Sequence, residues 1–283
     1  MINTDFIKGL LLPEGKPPAT LTSLFVLVIF LIFMVNIVYP INLLLSLSPG
    51  SLFSLQCYRL LTYPLVHLSL AHLLFNSMAM MIPLNIFEMT HGTLYTLFTL
   101  MFSSLVCGLV YCLVGSVLFP NVAVGGASGL IFMLIAYFSW KESTVHPRYQ
   151  LFSTQWSIPT QYSPLFLLLL ISILLPGSSF WGHLLGLLLG YAMAWKETWF
   201  AKFMPPSWIL IKLDQLLSTI IDSLPSWLKY YKEEEIQRQE EYSSIFDSIM
   251  ETLPLYNDAE TTTNNNSGST NNFVGEGRVL GSS

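Results

Sequence analysis

Six apolar stretches dominate this chain, each near the ~20 residues that a helix needs to cross a bilayer. They fall at 21–40, 70–89, 94–114, 126–141, 163–177 and 180–199. In hydrocarbon, backbone polar groups must be satisfied within such a segment, and a helix does so. The composition agrees, at 53% hydrophobic and 10% charged residues, a balance outside the soluble globular classes. The expected fold class is therefore all-α: a polytopic membrane helical bundle with six transmembrane helices over 21–200. The second stretch tolerates His72 and Asn76, the fourth starts at glycines and the fifth is short, so those boundaries are loose. The first is too long for a signal-peptide core and reads as a retained span.

Charge sets the orientation. An even number of spans puts both termini on one side. Lys8, Lys16, Lys141, Arg148, Lys196 and Lys202 fall on that side, and Arg59 falls opposite. The positive-inside rule then makes both termini cytosolic. Residues 1–20 form a cytosolic N-terminus, and 201–252 a cytosolic amphipathic and charged helical segment. Within the latter, Ile209, Leu210, Leu213, Leu216, Leu217, Ile220, Ile221 and Leu224 recur at helical spacing behind Trp208. That pattern suits a helix lying in the membrane interface, with packing on a core as the alternative. The charged run 229–241 reads as a solvated helix, and the Thr/Asn/Ser-rich tail 253–283 as disordered. The basic-to-acidic ratio is seven to five over 1–202 and five to twelve over 203–283, so nothing suggests nucleic acid as a partner. Cys57, Cys107 and Cys112 give neither a disulfide framework nor metal-ligand spacing. No metal or cofactor is implied.

Three polar residues stand out against this background. His72, Ser128 and His183 lie near the starts of spans two, four and six, which enter the membrane from the same, non-cytosolic side. Polar and ionisable residues at such positions are functional candidates. A Ser with a His is the minimum kit for nucleophilic catalysis, because imidazole accepts the hydroxyl proton. Asn76 follows His72 by four residues and shares its helix face. An amide, an imidazole and the Ser128 N–H aimed at one point would stabilise an oxyanion. Gly182, Gly186 and Gly190 flatten one face of span six, and Gly126 and Gly129 flank the Ser. Small residues at this spacing let membrane helices approach closely. Each feature alone has a plainer reading. A membrane Ser often bonds its own helix, and His, Asn and Gly often serve helix packing. Their common depth favours chemistry, and the lack of a polar path across the membrane disfavours a channel or transporter.

The motifs resemble the rhomboid family of intramembrane serine proteases across roughly 20–200. Tyr58-Arg59-Leu60-Leu61-Thr62 looks like the family's Trp-Arg-x-x-Thr element, with Tyr in place of Trp. His67, His72 and Asn76 match its His-x4-His-x3-Asn pattern, and Gly126-Ala127-Ser128-Gly129 its nucleophile motif. His183, Gly186 and Gly190 match the His and glycines of span six. The resemblance implies a Ser128–His183 dyad without a third acid. It places oxyanion donors at His72, Asn76 and the Ser128 backbone, with Arg59, His67 and the glycines structural. The substrates would be transmembrane proteins, cleaved within the lipid bilayer.

A second resemblance lies in the tail. Phe273-Val274-Gly275-Glu276-Gly277-Arg278-Val279-Leu280 looks like an SHP box, with Phe273, Gly275, Gly277 and Leu280 at its defining positions. Such a box, placed here at 273–281, implies binding to an AAA ATPase of the valosin-containing-protein type. A six-span rhomboid with this tail resembles the fungal Golgi group. That likeness implies a Golgi membrane, or the endoplasmic reticulum, and membrane-anchored sterol-regulatory transcription factors as substrates. The rival is a non-catalytic, derlin-like rhomboid adaptor. It is disfavoured because pseudoproteases lack the Ser or the His.

Overall fold

The computed structural model describes residues 17–150, 156–175 and 177–236. The tail motif at Phe273, Gly275, Gly277 and Leu280 lies outside the described residues, as do residues 1–16. The described chain is mostly helical. Helix α1 runs Thr20–Val38, and a long first loop carries the short helices α2 (Asn42–Leu45) and α3 (Arg59–Thr62). Next come α4 (Leu70–His91), α5 (Thr93–Leu118) and α6 (Ser128–Glu142). A two-stranded antiparallel ribbon, β1 (Arg148–Gln150) and β2 (Ser157–Pro159), leads to α7 (Ser163–Leu174) and α8 (Phe180–Trp195). Beyond lie α9 (Glu197–Phe200), α10 (Ser207–Leu216) and α11 (Ser218–Asp222).

All six apolar stretches are helical, but they differ in reach. Only α1, α4 and α5 are long and apolar enough to cross a membrane by length and composition among the described residues. Helices α6, α7 and α8 have 15, 12 and 16 residues, short of the ~20 that span a ~30 Å core. For α6 the reason is its place. Residues 130–134 and 136–139 are buried on every face, so this helix is walled by protein rather than lipid. A large core of Met80, Leu84, Phe87, Leu130, Met133, Leu134, Tyr137 and Met193 joins α4, α6 and α8 around it.

Two sets of polar contacts fix the ends of the bundle. In the first loop, the side chains of Tyr58, Arg59 and Thr62 donate to three successive carbonyls, those of Leu44, Ser46 and Leu45 respectively, at 3.0, 2.6 and 3.0 Å. These include carbonyls at the end of α2 that its own ladder leaves free. At the opposite end, the first amides of α1 meet acceptors from α4. Glu88 accepts from the Leu21 and Thr22 N–H groups and from the Thr22 and Thr93 hydroxyls. Asn85 accepts from the Ala19 N–H at 2.8 Å. A carboxylate at a helix N-terminus satisfies orphan donors and complements the helix dipole.

The segment after α8 corrects one expectation. Leu210 is fully buried in the main core, with Leu213 and Leu217 packed beside it, so α10 docks on the bundle by one face. Asp214 on that face accepts from the Tyr230 hydroxyl and the Glu233 N–H. The charged run does not form the expected helix over its described part. Lys229 pairs with Ala19, the Thr20 N–H donates to the Lys229 carbonyl, the Thr93 N–H donates to the Tyr231 carbonyl, and the Tyr231 N–H donates to the Thr93 hydroxyl. Only Glu233–Glu235 makes a single 3₁₀ turn. Helix propensity there gives way to backbone groups offered by the ends of α1 and α5.

Candidate active site

The site forms where α4, α6 and α8 begin. Ser128 opens α6, so its N–H lies among the first amides that the helix ladder does not use. His183 sits in the first turn of α8, behind Ser179, whose hydroxyl caps the helix by accepting from the Gly182 N–H. The gap between these helices is set by glycines. A Cβ on Gly186 or Gly190 would collide with the carbonyls of Gly129 and Met133, and one on Gly129 would stand 3.2 Å from the Gly182 carbonyl. Backbone therefore packs directly on backbone. At that separation the Ser128 Oγ and His183 Nε2 lie 2.7 Å apart, a full hydrogen bond. The Ser128 hydroxyl thus reaches across to α8 rather than back to its own helix. Ser128 is half-buried and His183 buried.

The imidazole has no carboxylate behind it. Its Nδ1 is buried without a hydrogen-bond partner among the described residues. Its orientation comes from packing: the ring stacks on Phe132 at 4.8 Å between centroids and 27° between planes. Phe132 lies one turn after Ser128, so one helix carries both the hydroxyl and the platform for the ring that bonds it. The motifs did not single out Phe132; its spacing of four from the Ser was the available signal.

His72 lies on α4 against the loop before Ser128. A Cβ on Gly126 would stand 2.7 Å from its Cε1, and Gly126 has φ +122, where side chains are strongly disfavoured. The loop needs a glycine there both for its turn and for the His72 ring. The Gly126 N–H donates to the Tyr63 carbonyl, and Val124 pairs with Leu47, so the first loop holds the nucleophile loop in place. His67 is buried, with its ring 4.9 Å from that of His72. Burial, then the neighbouring His72, lowers its pKa to about 4, so it stays neutral at physiological pH. Asn76 is buried one turn below His72, and its Nδ2 donates to the His72 carbonyl at 2.8 Å. An amide nitrogen has two hydrogens, so one donor remains. Arg59 is not at the site; it acts through the loop.

The far ends of the same helices are also tied together. Lys141 lies in the last turn of α6, Glu197 follows α8 and His91 ends α4. Lys141 Nζ lies 2.5 Å from Glu197 Oε2, while the Tyr137 hydroxyl donates to Oε1 at 2.7 Å and His91 Nε2 lies 3.6 Å from it. Burial raises the Glu197 pKa, but hydrogen bonds from His91, Lys141 and Tyr137 outweigh it and hold the carboxyl at about 2. No group of three or more potential metal ligands occurs among the described residues.

A membrane-embedded helical bundle that sets a serine hydroxyl on an imidazole has the form of an intramembrane serine hydrolase. Comparison with known proteins makes this specific: residues 54–200 match the Rhomboid domain. The chain belongs to the rhomboid family and is a serine protease of integral-membrane type. It is 48% identical over 251 residues to "Rhomboid-type serine protease 2" of Saccharomyces cerevisiae, covering 89% of this chain and 95% of that protein. The protein of the same description from Kluyveromyces lactis is 44% identical over 281 residues, covering 97% and 99%. That from Eremothecium gossypii is 42% identical over 274 residues, covering 97% and 98%.

Proposed function

We propose that Ser128 and His183 are the catalytic dyad of this protease. The carrying observation is the 2.7 Å Oγ–Nε2 contact between two helices locked by glycines. Ser128 Oγ attacks the scissile carbonyl carbon while His183 Nε2 takes the hydroxyl proton. The carbonyl oxygen becomes an oxyanion, held by the Ser128 N–H, the free Asn76 N–H and His72. Collapse breaks the C–N bond, and His183 returns the proton to the leaving amine. Water then attacks the acyl ester, giving its proton to His183; the C–Oγ bond breaks, His183 returns the proton to Ser128 Oγ, and the carboxylate product leaves. The deciding experiment is labelling of detergent-solubilised protein with a fluorophosphonate. Wild type should react, whereas Ser128→Ala and His183→Ala should neither react nor cleave. The double variant should be no worse than either single one. Cleavage retained by Ser128→Ala ends this assignment.

Transmembrane proteins are the proposed substrates, with membrane-anchored sterol-regulatory transcription factors the class suggested by the fungal Golgi resemblance. The proposed orientation has six crossings, both termini cytosolic and a Golgi or endoplasmic reticulum membrane. Asn265-Asn266-Ser267 is a glycosylation sequon; a cytosolic tail leaves it bare, and a glycan there would invert the orientation. The tail sequence Phe273-x-Gly275-x-Gly277-x-x-Leu280 supports recruitment of the AAA ATPase. Deleting 271–283 should spare cleavage of a short reporter and impair processing of a native membrane substrate. Equal loss of both refutes recruitment as the tail's role.

A further inference from the structure

The end of the molecule away from Ser128 carries an arrangement that the protease reading does not use. Trp195 ends α8, Trp199 lies in α9 and Trp208 in α10, and all are exposed, by 65, 64 and 60%. Each has a lysine ammonium over its ring. Lys196, Lys202 and Lys212 stand 5.1, 5.3 and 5.1 Å from the respective centroids. Three different sequence separations produce the same pairing, so it does not follow from helix periodicity alone. None of the three lysines forms an ion pair with a carboxylate among the described residues. The acids of this region are committed elsewhere, Glu197 to Lys141 and Asp214 to Tyr230.

The position explains what such pairs meet. His183 lies in the first turn of α8 and Trp195 ends it, so the belt lies towards the end of the bundle away from the dyad, which the proposed topology puts at a membrane surface. Helix α10 turns Leu210 and Asp214 to the core and leaves Trp208, Lys212 and Leu216, each four residues apart, outside. That outer face is apolar with a cation in it. Tryptophan settles at the boundary between acyl chains and headgroups, and unpaired lysines beside it attract lipid phosphates. An ammonium held over a ring keeps N–H donors for a second partner.

We propose that the belt of Trp195, Lys196, Trp199, Lys202, Trp208 and Lys212 binds anionic phospholipid headgroups of the leaflet facing away from the dyad. The indole rings seat among the upper acyl chains, and the lysines clamp the phosphodiesters and any further headgroup carboxylate. The proposal stands independently of the dyad assignment.

The test uses the full chain reconstituted in phosphatidylcholine vesicles containing brominated phosphatidylserine or brominated phosphatidylcholine. Quenching of tryptophan fluorescence yields the relative binding constant of the two lipids. Wild type should prefer the anionic lipid by about tenfold or more at low salt, and the preference should shrink at about 0.5 M salt through screening. The K196Q/K202Q/K212Q variant should bring the ratio close to unity, while the corresponding Arg variant keeps it. Fluorophosphonate labelling and the melting temperature check that the variants fold. A wild-type ratio near one overturns the proposal, as does a preference that survives either the Gln variant or high salt. The salt titration needs no variant and decides the matter if the Gln protein does not fold.

Discussion

The carbonyl oxygen of Gly129 occupies the space that a Cβ on Gly186 would need. This contact sets the distance between the helices carrying Ser128 and His183. Gly186→Ala should therefore force α6 and α8 apart, with a stability cost of at least about 1–3 kcal/mol and near-complete loss of proteolysis. Gly190→Ala, which meets the Met133 carbonyl, should behave alike. Gly50, with nothing within 4 Å of an added Cβ, should accept Ala with little change. Thermal unfolding in detergent and reporter cleavage give both readouts. A fully active Gly186→Ala protein would mean that backbone contact does not set the dyad.

Phe132 orients His183 by stacking rather than by hydrogen bonding. Phe132→Leu should lower kcat up to about tenfold, the scale of an aromatic stacking contribution, and Phe132→Tyr should restore most of it. KM should change little, because the residue is buried behind the imidazole. A KM effect without a kcat effect would place Phe132 in substrate binding instead.

Asn76 tests the oxyanion site. Its amide already donates to the His72 carbonyl, so a role in catalysis rests on the second hydrogen. Asn76→Ala should lower turnover by about 10–1000-fold, as for a lost oxyanion donor, with a small change in melting temperature. If melting falls while turnover per folded molecule holds, the residue serves only its helix.

Arg59 supports the site from a distance. Its Nη1 donates to the Ser46 carbonyl next to Leu47, which pairs with Val124 in the nucleophile loop. Arg59→Ala should cost about 1.5–3 kcal/mol, the range for a hydrogen bond from a charged group. Tyr58→Phe should cost less, since that hydroxyl is exposed. Equal melting temperatures for wild type and Arg59→Ala would rule out the support role.

Glu197 gives a pH dependence with a defined sign. Its folded pKa of about 2 lies below the ordinary carboxylate value of 4.5, so the folded state favours the ionised form. The stabilisation is complete above pH 4.5 and fades as pH falls towards 2. Wild type should melt above Glu197→Gln at pH 7, and the gap should close through that acidic window. Partial exposure and screening limit its size. A gap that widens on acidification would contradict the clamp geometry.

These residues also show what could be read from the chain itself. Ser128, His183 and the Gly186–Gly190 face were legible because their chemistry and spacing are local. Glu88, Asn85 and Asp214 were not, since lone acids and amides in apolar or mixed runs reveal no partner. Glu88 finds Leu21 and Thr22 across 67 and 66 residues. The run from Lys229 reads as helix from its composition, yet Pro18, Thr20 and Thr93 claim its backbone. The fourth stretch, 126–141, is already short in the sequence, but its burial on every face did not show there. Apolar length measures what a helix can cross, whereas burial among its neighbours decides what it must cross.

The Glu88 contacts also order events in the making of the protein. The stretch Thr20–Val38 is synthesised before residue 88 exists. Until then, the amides of Ala19, Leu21 and Thr22 have only water to bond, which holds that end of the helix at the aqueous surface. When α4 arrives, its carboxylate and amide replace the water, and Thr93 closes the group as α5 begins. The first helix to enter the membrane is thus fastened only once α4 has been made and α5 has begun. A chain stalled or truncated before residue 88 would leave its first helix without these partners.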